Sequence, residues 1–529
     1  MASGNKGDIT YVLTRVIFIR SLALVYLVAF LVAYNQNPGL IGDNGLLSSQ
    51  EYFGRLKRHV GPDKTPLQNV MEIPTLLWFF DHDQVSQNIQ QFALAGATLS
   101  AFVIYHGACN SVGMFLLWAL YHSIVSVGQR WYSFGWETQL LETGFIGIFI
   151  VPTISLNRFE RVPRVGIYAA WWLIFRIMIG AGLIKIRGDS CWRDLTCMDY
   201  HYETQPVPNP VSFYLHNNPL KIFHKLETLV NHIVELVTPW FMFCSRDLRV
   251  ANGVIQIIFQ LILISSGNLS FLNWLTILPS LCFLDDQFLI HWVPFLWSNE
   301  VKEKVIGKAT NQGTASMFQN ILYVLKITKN LGFAILIMYL STPVIRNLLA
   351  LDGHQHMNTS FDTFKIVNTY GAFGSITKVR TEVIFKGTND DISMTDPSKI
   401  VWQEYEFKCK PGDVQRRPCL ISPYHYRLDW LLWFAAFGDY NQHPWIVHLT
   451  YHLLRGHKDA KEVHDLIEFN PFHNQTKPPK FIKVDHYEYK FAPLDHQDKK
   501  AWWIRRYLKE YLPPLSLENE SLQNFIGKK

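Results

Sequence analysis

The sequence predicts a polytopic α-helical membrane protein with about nine spans, followed by a C-terminal lumenal β-sandwich-like α+β domain. Charged residues make up 17% of the 529 residues, while 49% are hydrophobic and 14% aromatic. This balance is typical of membrane proteins, since soluble proteins carry about a quarter charged residues. The mean hydropathy is nevertheless only +0.05. A sizeable water-facing portion must therefore accompany the apolar helices.

The apolar segments lie in the first part of the chain, which predicts a multi-span core over residues 1–350 and a second domain over residues 351–529. Several segments are shorter than the ~20 residues that an upright span needs. The first has no evident cleavage site and is predicted to be an uncleaved signal anchor. The nine candidate spans are residues 16–34, 92–106, 112–127, 140–152, 165–185, 229–244, 254–266, 269–284 and 331–349.

Basic residues in short loops predict the orientation, because Lys and Arg prefer the cytoplasmic side. The loops at residues 157–164, 245–250 and 297–308 are basic and fall on one side of the predicted membrane. We therefore expect a cytoplasmic amino terminus. We expect the opposite, lumenal side to contain residues 35–91, 128–137, 186–228 and everything after residue 350.

Sequons agree with this orientation. Asn358, Asn474 and Asn519 each begin an N-x-Ser/Thr acceptor beyond the last predicted span, so we expect all three to carry glycans. Asn268 begins another acceptor, which is expected to lie too near the bilayer for modification.

Four of the seven cysteines are predicted to be lumenal. An oxidising lumen favours two local disulfides, although four cysteines allow three pairings. Alternatively, the flanking arginines favour a thiolate at the first pair, which would exchange disulfides with another protein. The lumenal cysteines are Cys191, Cys197, Cys409 and Cys419.

Residues 128–145 combine interfacial aromatic residues with charges at the start of an apolar run. Carboxylates are costly there and need partners, and an arginine in the middle of a later span could neutralise them. The sequence thus predicts a core charge network of Arg130, Glu137, Glu142, Arg176 and Lys185.

Alternating apolar and polar residues after position 351 predict strands at residues 365–367, 377–386 and 399–408. Residues 444–455 and 461–469 are predicted as helices, and residues 501–514 as an amphipathic terminal helix. The apolar stretch at residues 424–440 is too short to span a membrane. It forms either part of the domain core or a surface that docks on the bilayer or on a partner.

The chain contains no nucleophile-elbow, phosphate-loop, HExxH or paired CxxC pattern. His448 and His452 have helical metal-ligand spacing but no third ligand. We therefore expect no metal and no cofactor. No Lys/Arg run of the nucleic-acid-binding kind occurs despite a net charge of +6, which argues against a nucleic-acid partner.

Long segments of the chain resemble the lipase maturation factors, polytopic endoplasmic-reticulum membrane proteins that help secreted lipases to fold. The resemblance implies a chaperone that lets homodimeric lipases such as lipoprotein lipase reach their active form. It also implies that the C-terminal lumenal domain contacts the lipase. Membrane lipid and other lumenal folding factors are expected as further partners. The segments are residues 128–145, 188–210, 364–374, 402–418 and 422–437.

On this hypothesis, exposed aromatic side chains shield apolar segments of the lipase. The candidate contact residues are Trp430, Trp433, Phe434 and Phe437.

Two alternatives remain open. Residues 181–192 are similar to a segment of vitamin K-dependent carboxylases, which implies an integral-membrane enzyme with Lys185 as base and Glu137 and Glu142 in its pocket. The second alternative is a lumenal thiol-redox partner that acts through Cys191 and Cys197.

Overall fold

The computed structural model describes residues 9–307, 317–351, 353–473 and 477–527. Most of the first 350 residues are helical. Their helices are α1 (Val12–Ile41), α2 (Ser49–Val60), α3 (Pro66–Glu72), α4 (Val85–His106), α5 (Ser111–Val127), α6 (Gly135–Ile150), α7 (Arg164–Arg187), α8 (Ser190–Arg193), α9 (Met198–Thr204), α10 (Pro210–His216), α11 (Lys221–Leu236), α12 (Arg246–Ser266), α13 (Leu272–Leu281), α14 (Asp286–Trp292), α15 (Asn299–Gly307) and α16 (Met317–Leu348).

Four helices among the described residues are long and apolar enough to cross a membrane. They are α1, α7, α12 and the segment Val324–Leu348 of α16, and each contains a segment that the sequence predicted as a span. The apolar helices α5 and α13 are shorter. Helices that could cross a membrane are thus present among the described residues, whereas the count of nine spans stays a prediction.

The start of α1 is held by a carboxylate from α14. Asp286 accepts the backbone N–H groups of Val12 at 2.8 Å and Leu13 at 2.7 Å. The first N–H groups of a helix have no partner within the helix, and a negative charge there also meets the positive end of the helix dipole. A polar residue between two apolar segments therefore fixes where the first long helix begins.

Small antiparallel sheets follow, in place of the expected β-sandwich. One sheet has four strands in the order β2-β1-β5-β6 and the other pairs β3 with β4. Residues 365–367 were predicted as a strand and form none. The elements are β1 (Arg380–Thr388), β2 (Gln403–Glu404), β3 (Glu406–Phe407), α17 (Arg427–Ala435), α18 (Trp445–Arg455), α19 (Lys461–His464), β4 (Ile467–Phe469), β5 (Phe481–Phe491), β6 (Trp503–Leu515) and α20 (Glu520–Gly527).

The prediction of a helix at residues 501–514 is wrong, because these residues form β6. Local sequence misleads here: charged and apolar residues at mixed spacing fit a helix face as well as a strand. Nine paired positions with β5, from Ile482 opposite Leu515 to Phe491 opposite Trp503, decide the outcome through tertiary pairing. The helix predicted at residues 444–455 is confirmed as α18, whereas residues 461–469 contain a helix only to His464 and then β4.

The two parts of the chain share one apolar core, which contains side chains from α1 and α6 together with Leu432 of α17 and Trp445 of α18. At its edge α1 approaches α19 so closely that a Cβ at Gly39 would lie 2.2 Å from the carbonyl oxygen of Glu462. Only glycine allows this backbone contact. The helical part and the sheets therefore pack as a continuous body.

Candidate functional site

The end of helix α17 and the turn that follows it present a small aromatic surface, formed by Trp433, Phe434 and Phe437 and called here the aromatic patch. The Trp433 ring centroid lies 4.8 Å from that of Phe434 and 4.6 Å from that of Phe437. Phe434 and Phe437 remain 39% and 43% exposed, and Trp433 is half-buried. Clustered exposed aromatic residues are typical of binding surfaces, because each offers a large apolar area at a small entropic cost.

Trp430, the fourth predicted contact residue, is buried. It is 5% exposed and its ring packs against Trp136 of α6 at 4.7 Å. The helical period places Trp430 on the same face as the patch, one turn earlier, and the Phe134 ring contacts both Trp430 at 5.8 Å and Phe434 at 6.2 Å. Trp430 therefore anchors α17 to the helical part of the chain and is not part of the exposed surface.

A buried ion pair fixes the start of α17. Arg427 donates to Glu137 of α6 at 2.6 Å and to the carbonyl oxygen of Trp131 at 2.7 Å, and both charged side chains are 0% exposed. Tyr121 also donates to Glu137, and the Tyr132 ring lies 3.7 Å from the Arg427 guanidinium carbon. Removing one partner of such a pair typically costs ~3–5 kcal/mol, because the other charge is left buried.

Helix α1 also contacts the residues that lead into α17. Gln36 donates to the carbonyl oxygen of His425 at 2.8 Å and accepts the backbone N–H of Arg427 at 2.9 Å. Ser270 lies 2.8 Å from Nδ1 of His425. Burial, followed by the positive charge of Arg427, lowers the pKa of His425 well below its usual value. The imidazole is therefore neutral and serves as a hydrogen-bonding group.

The far end of α17 rests on the four-stranded sheet. Tyr511 of β6 donates to the carbonyl oxygen of Ala435 at 3.0 Å, and Thr381 of β1 donates to that of Ala436 at 3.0 Å. These contacts satisfy carbonyl groups that the end of a helix leaves unpaired. With both ends held, α17 presents the aromatic patch from a rigid support.

A second buried ion pair joins α6 to α7. Arg176 donates to Glu142, and both side chains are 1% exposed. The other oxygen of Glu142 accepts the backbone N–H of Asn368 at 3.0 Å and the hydroxyl of Tyr370 at 2.7 Å. The segment after α16 thereby supplies donors that a carboxylate within apolar helices requires.

The third pair lies at the end of α7, where Lys185 donates to Glu235 of α11 at 2.5 Å and to Asn231 at 3.1 Å. The predicted single network is therefore divided into separate pairs with different partners. Arg130 belongs to none of them and makes no ion pair with the part of the chain that the structure describes. A paired ammonium at Lys185 gives no support to its role as a free base.

The structure contains disulfides between Cys191 and Cys197 and between Cys409 and Cys419. Cys191 and Cys197 are 4% and 0% exposed. An incoming thiolate needs access to sulfur, so this burial disfavours exchange with another protein.

The sequons differ in their surroundings. Asn358 is exposed and Asn519 is half-buried at the start of α20, whereas Asn474 lies outside the described residues. Asn268 is 1% exposed and donates to the carbonyl oxygen of Cys419 at 2.8 Å. Its amide is therefore occupied inside the protein.

Several residues that hold the site were not singled out by sequence reasoning. Gln36 and Glu235 lie in helices α1 and α11, whereas the others follow the last apolar segment, and nothing in the local pattern assigns any of them to a partner far away in the chain. The only available signal was electrostatic, since each buried acid required a donor. These residues are Gln36, Glu235, Asn368, Tyr370 and Arg427. In the described ranges, no group of three or more His, Cys, Asp or Glu is placed to hold a metal ion.

Comparison with known proteins matches both parts of the chain. The model of the lipase maturation factor transmembrane domain matches residues 13–291, and that of the lipase maturation factor C-terminal domain matches residues 366–513. Lipase maturation factor 1 of Mus musculus is 50% identical over 96% of this chain and 88% of its own length. The Homo sapiens protein of that name is 48% identical over 96% and 89%, and lipase maturation factor 2 of Xenopus laevis is 28% identical over 98% and 84%. No solved structure matches the chain.

Proposed function

This chain belongs to the lipase maturation factor family, and from that premise we propose that it is an endoplasmic-reticulum membrane chaperone for secreted homodimeric lipases such as lipoprotein lipase. It assists their folding, dimer assembly and secretion, and so acts in lipid metabolism. In the proposed orientation the amino terminus is cytoplasmic, the chain crosses the membrane several times, and residues 351–529 are lumenal.

The single observation that carries a client-binding role is the aromatic patch on its rigid support. An unfolded or monomeric lipase exposes apolar surface, and burying apolar area contributes ~25 cal/mol per Å². Phe434 and Phe437 offer such area at the end of α17, while the buried pair Arg427–Glu137 anchors the first turn of that helix. The patch would hold the client until the second lipase subunit covers the same surface.

The test replaces Phe434 and Phe437 together by serine in cells that lack the endogenous protein, and measures secreted lipoprotein lipase activity and co-precipitated lipase. We expect both to fall at least tenfold, because two aromatic contacts of a binding surface typically contribute ~1 kcal/mol or more each and ~1.4 kcal/mol corresponds to a factor of ten. Phe469→Ser is a matched control, since Phe469 is 55% exposed on β4 and lies outside the patch. Unchanged lipase activity in the double variant would contradict this contact surface.

An enzyme function makes a different prediction for the helical core. Lys185→Met combined with Glu235→Met removes both members of the buried pair at 2.5 Å without leaving a lone charge. A chaperone with a structural pair keeps its lipase rescue in that variant, provided that its abundance is unchanged. A well-folded but inactive double variant would favour chemistry or ligand binding at Lys185.

A further inference from the structure

A short apolar segment at the end of helix α14 lies open at the surface. Trp292 is 68%, Phe295 82% and Leu296 53% exposed. Residues 294–296 form a single 3-10 turn without a buried side chain. Contiguous exposed apolar side chains usually mark a contact with a protein or a membrane. Residues 292–296, called here the 292–296 segment, therefore need a partner that covers them.

Neighbouring side chains of the same stretch already fill the space towards the protein. Leu289 is 3% exposed and lies in one apolar cluster with Leu13 and Leu284, and Val293 and Trp297 pack against that cluster. The stretch is thus attached to the helical part of the chain by its own inward residues. The exposed side chains are left to contact something outside the protein.

Two carboxylates at the start of α14 fix its level relative to the long helices. Asp286 accepts the backbone N–H groups of Val12 and Leu13 at the start of α1. Asp285 accepts from Arg246, the first residue of α12, at 2.5 Å from Nε and 2.7 Å from Nη2. Both α1 and α12 are long and apolar enough to cross a membrane. Helix α14 therefore begins where two membrane-length helices begin.

The length of α12 places this level at the edge of the bilayer. Its 21 residues extend ~31 Å at 1.5 Å per residue, and the hydrocarbon core is ~30 Å thick. An α12 that crosses the membrane thus uses its whole length, and its first residue lies at the boundary of the hydrocarbon. Arg246 and Asp285 consequently meet at the head-group level, and so does the beginning of α14.

The composition of the 292–296 segment suits that boundary. Five residues are far too few to span a bilayer, but tryptophan is enriched where the acyl chains meet the head groups. The backbone of a single 3-10 turn also leaves polar groups that water and head groups can satisfy at this depth. A protein partner would have to displace the lipid that surrounds the starts of α1 and α12, so the position favours lipid.

We propose that the 292–296 segment inserts into the bilayer leaflet at which α1 and α12 begin, so that its partner is the lipid itself. In the proposed orientation this is the cytoplasmic leaflet. Interfacial segments bury their apolar side chains ~5–10 Å into the boundary between head groups and acyl chains. Because Asp286 holds the start of α1, the inserted segment also sets the depth of that helix. This surface is independent of lipase binding.

The test attaches a nitroxide spin label at Phe295→Cys in the full-length protein, reconstituted into phosphatidylcholine vesicles. Cys244→Ser accompanies it, because Cys244 is a free and exposed cysteine, and the protein with Cys244→Ser alone reports residual labelling. Met394→Cys in the same background is the matched control, since Met394 is 88% exposed in the C-terminal part of the chain.

Collisions of the label with oxygen, which enters lipid, are compared with collisions with a water-soluble nickel chelate present on both sides of the membrane. We expect nickel collisions to be lost at position 295 and retained at position 394, while oxygen collisions persist at 295. A label at Trp292→Cys should behave like that at 295. Equal nickel access at 295 and 394 would overturn the inference. Spectral broadening by the label of a second copy would overturn it as well, because the segment would then face another protein.

Depth gives a second measurement on the same variant. A fluorophore at position 295 should be quenched more strongly by lipids brominated near the head group than by lipids brominated near the chain end, because interfacial segments reach only ~5–10 Å inward. Stronger quenching from the chain end, or no quenching by either lipid, would contradict insertion at the boundary.

Discussion

Arg427 and Asp429 lie two residues apart in the first turn of α17, and burial affects them in opposite ways. Burial alone lowers the pKa of Arg427, but the nearby charge of Glu137 outweighs it and the net direction is upward. Asp429 accepts the backbone N–H of Cys409 at 2.9 Å, and burial raises the pKa of its carboxyl to about 7. The guanidinium is thus held charged, while the carboxyl titrates near neutrality.

Asp429→Asn should change how stability depends on pH. In the native chain the raised pKa of Asp429 means that the folded state retains a proton that the unfolded state releases, so this group's contribution to stability falls as pH rises from about 4 to about 7. Asparagine keeps an acceptor for Cys409 and does not titrate. Thermal unfolding of both proteins in detergent between pH 5 and pH 7.5 should show the variant gaining relative to the native chain as pH rises, by up to ~1.4 kcal/mol per pKa unit. A constant difference would contradict the assigned pKa.

At this scale sequence reasoning identified Glu137, Glu142, Arg176 and Lys185 as costly charges and offered Arg176 as a partner for either Glu137 or Glu142. In the structure Arg176 pairs with Glu142. Arg427 was hidden, because it lies beyond the last predicted span and 290 positions of chain away from its partner Glu137. Side-chain pairing across that separation depends on the tertiary packing of α17 against α6. The four aromatic residues at positions 430–437 share one helix face, so only the packing of Phe134 and Trp136 on Trp430 shows which of them is buried.

Among the elements, α1 and α19 meet at a contact that a single methyl group would disturb. A Cβ at Gly39 would lie 2.2 Å from the Glu462 carbonyl oxygen, and a backbone atom cannot rotate away. Gly39→Ala should therefore destabilise the protein by ~1–3 kcal/mol. Thermal unfolding and trypsin resistance in detergent would measure the change.

Gly54 provides the matched control for that substitution. It also lies within a helix, α2, but a Cβ there meets nothing within 4 Å. Gly54→Ala should leave stability unchanged or raise it by ~0.5–1 kcal/mol, because alanine reduces the entropy lost on helix formation. Equal loss in both variants would show that helix composition, and not the contact with α19, is responsible.

Helices with long apolar runs were predictable, and α1, α7, α12 and α16 each contain a predicted span. The misassigned element was β6, because a 13-residue strand with four charges and two prolines lacks strict alternation. Its register with β5 also shifts at several positions, and each such irregularity interrupts the period-two pattern that sequence reasoning uses. Pairing partners, rather than local preference, determined this element.

For the whole molecule, the proposed membrane orientation can be tested by glycans. We expect Asn358→Gln to lose one glycosidase-sensitive shift in gel mobility, because Asn358 is exposed and follows the last predicted span. Asn268→Gln should leave mobility unchanged, since its amide donates to the Cys419 carbonyl oxygen at 2.8 Å. The absence of a glycan on Asn358 would contradict its lumenal placement, and a glycan on Asn268 would contradict the burial of that side chain.

The division at residue 350 was drawn from a change in sequence pattern, and the structure shows why pattern alone underestimates the contact across it. Asn368 and Tyr370 complete the shell of Glu142, and Arg427 neutralises Glu137. Hydropathy describes each segment separately and contains no information on which polar groups meet. Removing residues after 350 would consequently take the Arg427 charge from Glu137 and the Asn368 and Tyr370 donors from Glu142, so such a truncation tests folding before it tests client binding.

The pair Arg427–Glu137 also sets a time interval during synthesis. The two residues are 290 positions apart, and at ~5–20 residues per second a ribosome needs roughly 15–60 s to make the intervening chain. Throughout that interval Glu137 of α6 lies among apolar helices without Arg427, the residue that neutralises it. The newly made helical part therefore either stays incompletely folded or is bound by other folding factors until the C-terminal part has been synthesised. The proposed chaperone is thus itself a folding client during its own synthesis.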